Sequence, residues 1–162
     1  MAHVELLLSA LPAHVRTARL VVVAAARRAG LDDSLVDELR LAVGEACSRA
    51  VGLHRTHAPD TPVRVLVADD PSGLTISVTD IGPAASGPTA SDDVAEDLLE
   101  GADPDDVDDI VDPDVALAVL SGLVDDCDVE AGPGGTTVTM RWPLPPRPVG
   151  MAGPGATALS QA

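Results

Sequence analysis

Residues 74–79 read Leu-Thr-Ile-Ser-Val-Thr, a strict alternation of apolar and hydroxyl side chains that decides the fold class. Residues 137–142 repeat the pattern, with valine, methionine and tryptophan set between threonines and an arginine. A period of two is typical of strands that bury one face of a sheet and leave the other face in water. The pattern therefore favours a two-layer α/β (α+β) sandwich, in which three main helices cover one face of a mixed, mostly antiparallel sheet.

The other elements are predicted from turn and helix signals on either side of these strands. Pro12 marks a turn before the first helix, Ser34 resembles the start of a capping box, and Pro113 suits the first position of a helix. Further strands are predicted over residues 4–9, 63–68 and 128–131. Helices are predicted over residues 14–29, 34–54 and 113–124.

The charge of the chain is concentrated in one half. Residues 1–64 hold eight arginines against seven acidic residues, whereas residues 65–162 hold two arginines against nineteen, within a net charge of −16. This excess of acid argues against nucleic-acid binding, which needs clustered basic residues. We interpret residues 1–144 as one domain that carries an acidic loop at about 83–112, followed by a flexible tail rich in proline, glycine and alanine at 145–162.

Composition also bears on location and on metal chemistry. No apolar run approaches the roughly 20 residues needed to span a bilayer, and the N-terminus lacks a signal-peptide pattern. Cys47 and Cys127 do not make a disulfide framework and are expected to be small core residues, which fits a reduced, cytoplasmic setting. His54 and His57 are interpreted as surface residues at a helix end, and no ligand spacing predicts a metal site.

Three short segments stand in a characteristic order along the chain. Residues 41–50 read LAVGEACSRA, residues 78–82 read VTDIG, and residues 134–138 read GGTTV. They resemble the N box (Glu-x-x-x-Asn), the Asp-x-Gly box and the closing Gly-Thr box of the GHKL, or histidine-kinase-like, ATPases. The resemblance implies the Bergerat-type fold of that family and, as cofactor, ATP with magnesium.

The opening of the chain is similar to one branch of that family. Residues 9–11 read Ser-Ala-Leu and are followed by Ala18 and Arg19, as in the small bacterial anti-sigma factors that are also serine kinases. The resemblance extends over about residues 3–144. It implies a partner-switching protein, whose first helix and arginine form the partner surface.

The resemblance also implies a role for each matching residue. Glu45 matches the general base that acts on an acceptor serine. Asp80 matches the carboxylate that accepts a hydrogen bond from the adenine amino group, Gly82 lets the backbone approach the ring, and Thr137 adds a hydroxyl. Two plainer readings stay open: Glu45 as an ordinary acid on a helix surface, and Thr137 as a solvent-facing strand residue.

Two departures from the family pattern concern the phosphates and the metal. Arg49 stands where the family has its magnesium-ligating asparagine, and a guanidinium has no lone pair for a metal. Arg49 is predicted to pair with Glu45 four residues earlier, the alternative being a direct contact with phosphate. Pro113 stands where the family has a glycine-rich phosphate cradle. ATP and magnesium are therefore expected to bind weakly or not at all to the degenerate site of Arg49, Asp80, Gly82 and Thr137.

The sequence is compatible with three functions from different classes. The first is an anti-sigma-factor-like regulator of transcription that binds a sigma factor, an anti-anti-sigma protein of STAS type, or both, through Arg16 and Arg19. The alternative is an active ATP-dependent serine/threonine kinase that phosphorylates the anti-anti-sigma antagonist, so whether the chain is an enzyme stays open. A diverged scaffold with an acidic interaction loop is a third. Neither nucleic acid nor a membrane is expected as a partner, and a homodimer is left open.

Overall fold

The computed structural model describes residues 2–83 and 113–146, which form five strands and three helices in two layers. The helices are α1 (Pro12–Ala29), α2 (Asp33–His57) and α3 (Pro113–Leu123). The strands are β1 (Ala2–Leu8), β2 (Val63–Asp70), β3 (Gly73–Asp80), β4 (Asp126–Gly132) and β5 (Gly135–Trp142). The predicted acidic loop and tail lie almost entirely outside the described residues.

The strands form a sheet in the order β1-β2-β3-β5-β4, and each pairing among the described strands is antiparallel. The predicted two-layer sandwich is confirmed, but the expectation of a mixed sheet is corrected. Strands β3 and β4 run in the same direction, because each is antiparallel to β5. They do not pair, since β5 lies between them and returns through a hairpin.

The alternation that predicted the sheet places aliphatic side chains on its inner face. Val65, Val78 and Val138 stand level across three strands, and each is at most 1% exposed. The outer face carries hydroxyl pairs instead, with Ser77 Oγ and Thr139 Oγ1 3.2 Å apart. The helices therefore pack on the aliphatic face, and the outer face carries hydroxyl groups along β3 and β5 and the pair of Arg64 and Glu5 on β2 and β1.

The helix ends differ from the prediction by a few residues. Pro12 is the first residue of α1 and not a separate turn, because a missing N–H costs nothing at that position. Asp32, rather than Ser34, caps α2: its carboxylate accepts the backbone N–H of Ser34 at 2.9 Å. None of the three helices described is long and apolar enough to cross a membrane.

Candidate functional site

A buried ion pair joins α2 to the end of β3. Arg49 Nη1 donates to Asp80 Oδ2 over 2.6 Å, and both side chains are 1% exposed. Asp80 Oδ1 accepts the backbone N–H of Gly82 at 3.0 Å. Both oxygens of the carboxylate are therefore bonded within the protein.

Arg49 also reaches the first residue of α3. Its Nε donates to the carbonyl oxygen of Pro113 at 3.1 Å, while Nη2 is buried without a hydrogen-bond partner. The prediction that Arg49 pairs with Glu45 is wrong. A charge-assisted bond to a buried carboxylate is stronger than an exposed pair along one helix, so the guanidinium turns inward.

Glycines shape the turn that carries Asp80. Gly135 has a φ of 127°, and a side chain there would come within 2.7 Å of Ile81 Cα, so only glycine fits. A Cβ on Gly82 would lie 3.0 Å from the Cβ of Leu53. The glycine that the resemblance assigned to an adenine ring is thus covered by a leucine side chain.

His54 is fully buried, which corrects its interpretation as a surface residue. The backbone N–H of Ile81 donates to His54 Nε2 at 2.9 Å, so the ring proton sits on Nδ1 and is donated to the carbonyl oxygen of Thr61 at 2.7 Å. One neutral imidazole thus ties α2 to the loop before β2 and to the turn after β3. Helical spacing was a usable signal, because His54 follows buried Ala50 by four residues.

The threonines that follow Gly135 lie on opposite faces of the sheet. Thr136 stands opposite Asp80 in the β3–β5 ladder and is buried, with no hydrogen-bond partner for its hydroxyl. Thr137 faces the outer side, where its hydroxyl lies 3.1 Å from that of Thr79. Thr137, to which the resemblance assigned a hydroxyl role, thus lies on the outer face, and Thr136 is the residue beside Asp80, because successive strand residues face opposite sides.

A cavity of about 570 Å³ lies between the second half of α2 and the start of α3. Its polar lining comes from Glu45, Ser48, Arg49, Arg55, Thr56 and His57. Asp80, Gly82 and Thr137 do not line it. Of the residues predicted for a nucleotide site, Arg49 is thus the one that belongs both to the cavity and to the buried pair.

These residues do not fit a nucleotide with its magnesium ion. Asp80 is 1% exposed, accepts a hydrogen bond at each oxygen from within the protein and does not line the cavity, so it is not presented to an adenine amino group, and Arg49 cannot ligate a metal. Pro113 has no N–H to offer a phosphate at the start of α3. Within residues 2–83 and 113–146, no group of three histidines, cysteines or acidic residues is placed to hold a metal ion.

The two arginines predicted to bind a partner have different surroundings on α1. Arg16 is exposed, whereas Arg19 is half-buried and crosses α2 where Gly44 has no side chain. A methyl group on Gly44 would lie 2.9 Å from Arg19 Cζ. Arg19 is therefore held by its packing and is not simply solvated.

The cysteines differ in burial. Cys47 is buried in the core, as predicted, and this burial raises the pKa of its thiol to about 12, with Arg19 opposing the shift. Cys127 is half-buried, and its pKa is raised by burial and by the neighbouring carboxylates of Asp128 and Asp126. Thiolate chemistry is disfavoured at both positions.

Comparison with known proteins identifies the fold. The family model of the histidine kinase-like ATPase domain matches residues 8–142. A solved structure, that of the RsbU and RsbW domains of Rv1364c from Mycobacterium tuberculosis, matches with a TM-score of 0.57 and 20% identity. That match covers 89% of this chain and 33% of the longer one, and at this identity it shows the fold alone. No curated protein matches the chain.

Proposed function

This chain belongs to the histidine kinase-like ATPase family, and we propose that it is a cytoplasmic, anti-sigma-factor-like regulator of transcription that acts by binding proteins without using ATP. The observation that carries the proposal is the buried pair of Arg49 and Asp80. It buries the carboxylate that the family resemblance assigns to adenine recognition and pairs it with a cation of the protein itself.

The surroundings of the pair also argue against nucleotide binding. Leu53 covers Gly82, and the carbonyl of Pro113 is bonded to Arg49 where the family resemblance calls for phosphate-binding glycines. Each change removes a different part of a nucleotide site: the base contact, the ring contact and the phosphate cradle. The loss of all three contacts supports a function of this fold that does not involve nucleotide binding.

The choice of partner rests on the first helix. The sequence from Ser9 to Arg19 resembles the anti-sigma branch, and the structural neighbour contains an RsbW domain. Arg16 and Arg19 lie three residues apart on α1, in the half of the chain that lacks the acidic excess. We propose that they contact acidic residues on a sigma factor, on an anti-anti-sigma protein of STAS type, or on both.

A binding experiment tests the proposal. The purified chain is titrated against the sigma factors and STAS proteins encoded in its source genome, with and without Mg-ATP, by calorimetry. At least one partner is expected to bind equally well in both conditions, while Mg-ATP alone gives no heat of binding. Binding that requires ATP, or micromolar binding of ATP itself, would overturn the proposal.

Arginine variants locate the surface. Arg19→Ala is expected to weaken partner binding about 5- to 150-fold, which corresponds to a lost charge-assisted contact of about 1–3 kcal/mol. Arg28→Ala, on the exposed last turn of the same helix, is the matched control and should bind normally. Equal affinities of the two variants would show that Arg19 does not contact the partner.

Glu45 favours one alternative function. It lines the cavity, where it could act as a base if ATP were held there, so the alternative is a serine/threonine kinase acting on the anti-anti-sigma antagonist. Incubation with radiolabelled ATP and the STAS partner separates the two. Phosphate transfer that Glu45→Gln abolishes would establish the kinase and refute the nucleotide-free proposal.

A further inference from the structure

We propose that the junction of α2, β3 and α3 is a guanidinium-binding site, whose built-in occupant is the side chain of Arg49. The binding groups of the site are the carboxylate of Asp80 on β3, the carbonyl of Pro113 on α3 and the hydroxyl of Thr136 on the neighbouring strand β5. The inference goes beyond the proposed function, because it does not depend on which partner the chain binds. It assigns a class of ligand, planar cations, to the place where the family resemblance puts a nucleotide.

The geometry of the two bonds suits a guanidinium in particular. Nη1 donates to Asp80 Oδ2 at 2.6 Å and Nε donates to the Pro113 carbonyl at 3.1 Å. These acceptors lie 31 and 64 residues from Arg49 in the chain, on two different elements. A planar fork of donors bridges two separate acceptors in a way that a single ammonium group does not.

The acceptors are held by bonds that Arg49 does not make. Gly82 N–H holds the other oxygen of Asp80, and His54 Nε2 holds the N–H of Ile81 in the same turn. The carbonyl of Pro113 belongs to a helix that is anchored in the core by Leu120, which is fully buried. Removal of the Arg49 side chain should therefore leave Asp80 in place and keep α3 attached through Leu120, while the first turn of α3 loses one of its hydrogen bonds.

The vacated site would be accessible and would have spare bonding capacity. Arg49 lines the cavity of about 570 Å³, so truncation of its side chain opens the junction to that space. Arg49 Nη2 and the Thr136 hydroxyl are both buried without partners, and Thr136 stands opposite Asp80. A guanidinium that is not tied to the α2 backbone can turn to use this hydroxyl as well.

The consequence for the fold concerns the start of α3. Arg49 provides a hydrogen bond from α2 to the carbonyl of Pro113, the first residue of α3, whereas Ala116 and Leu120 are buried in the protein further along the helix. Removal of the guanidinium should therefore loosen the first turn of α3 before the rest of the helix. Arg49 thus contacts the helix end at which the family resemblance places the phosphates of a nucleotide.

The test is chemical rescue of Arg49→Ala with methylguanidinium chloride at 1–20 mM, followed by thermal unfolding. The variant should lose about 10 °C in Tm, because a buried carboxylate is left unpaired, and methylguanidinium should restore about half of the loss. Hydrogen exchange at residues 114–118 should rise in the variant and fall again with the ligand. Methylammonium, which has the same charge without the planar fork, should restore neither.

Matched variants separate rescue from general effects. Val51→Ala removes buried volume from the same helix, and Arg64→Ala removes an exposed pair with Glu5. Neither should respond to methylguanidinium. If Arg49→Ala does not fold alone, its refolding from urea with and without methylguanidinium gives the same comparison.

Two outcomes would overturn the inference. One is a Tm or refolding yield of Arg49→Ala that methylguanidinium changes no more than it changes Val51→Ala. The other is a larger stabilisation by adenosine than by methylguanidinium, which would mean that Arg49 only blocks a nucleotide site.

Discussion

The layer between the helices and the sheet is held together differently from the junction of α2, β3 and α3. The layer is aliphatic, with residues such as Leu39 and Ile76 fully buried. The junction buries Arg49, His54 and Asp80, and each of them is at most 5% exposed. The stability of the layer depends on the volume of its buried side chains, whereas the junction depends on hydrogen bonds and an ion pair between specific atoms.

This difference shows where the chain tolerates change. Aliphatic cores accept substitutions of similar volume, because dispersion contacts have no fixed direction. A buried polar group that loses its partner keeps its desolvation cost, so one substitution harms two residues. Under the proposed function, the nucleotide site of the family serves as a structural junction, and its residues should respond to substitution as structural residues.

The largest effect is expected for Asp80→Ala. The substitution leaves the Arg49 guanidinium buried without its carboxylate and should lower the free energy of unfolding by about 3–5 kcal/mol. The double variant Arg49→Met with Asp80→Leu should recover most of that loss, since no charge is left unpaired. Urea unfolding measures both. A double variant as unstable as Asp80→Ala would show that the unpaired charge of Arg49 is not the cause of the loss, and the distinction between layer and junction would fail.

The next prediction compares one substitution in the junction with one in the layer, each by a side chain of similar volume. His54→Leu should lose about 2–3 kcal/mol, because the N–H of Ile81 and the carbonyl of Thr61 both lose their partner. Leu39→Met in the layer should lose less than about 1.5 kcal/mol. Equal losses in urea unfolding would show that volume, and not bonding, governs the junction.

A smaller effect on stability is expected for Gly44→Ala, which displaces Arg19 from α2. The gain in helix propensity of about 1 kcal/mol should be offset by the contact with Arg19. Gly52→Ala is the control, because nothing lies within 4 Å of its added Cβ, and it should gain about the full propensity. Partner binding should fall in Gly44→Ala as it does in Arg19→Ala. Unchanged partner binding by Gly44→Ala would show that Arg19 is not part of the partner surface.

The smallest effect at neutral pH concerns the one buried thiol of the layer, Cys47. Burial raises the pKa of Cys47 from 9.0 to about 12, so the thiol loses its proton in the unfolded chain at a lower pH than in the folded chain. The contribution of Cys47 to the free energy of unfolding is therefore constant below pH 9 and is lost as the pH rises towards 12. The free energy of unfolding should fall across that window by up to about 1.4 kcal/mol per pH unit. Cys47→Ala should lack this fall. A fast reaction of Cys47 with a thiol reagent in the native state at pH 8 would contradict its burial.

The sequence was sufficient for the architecture, because that depends on periodicity. The alternation in residues 74–79 and 137–142 identified which sheet face is buried, and the same alternation, extended by one step from Val138, places Thr136 inward. Helical spacing from the buried Ala46 and Ala50 of α2, continued to the end of the helix, includes His54. Family boxes in the expected order led to the family that the comparison then established.

Only the tertiary structure decided which partner Arg49 takes. Periodicity reports neighbours within one element, so the sequence offered Glu45, four residues away, as the natural partner. Asp80 lies 31 residues away, and it reaches Arg49 because α2 packs across β3 with both side chains turned from water. The strength of that pair comes from the low dielectric of a buried site, a property of the folded chain that no local pattern carries.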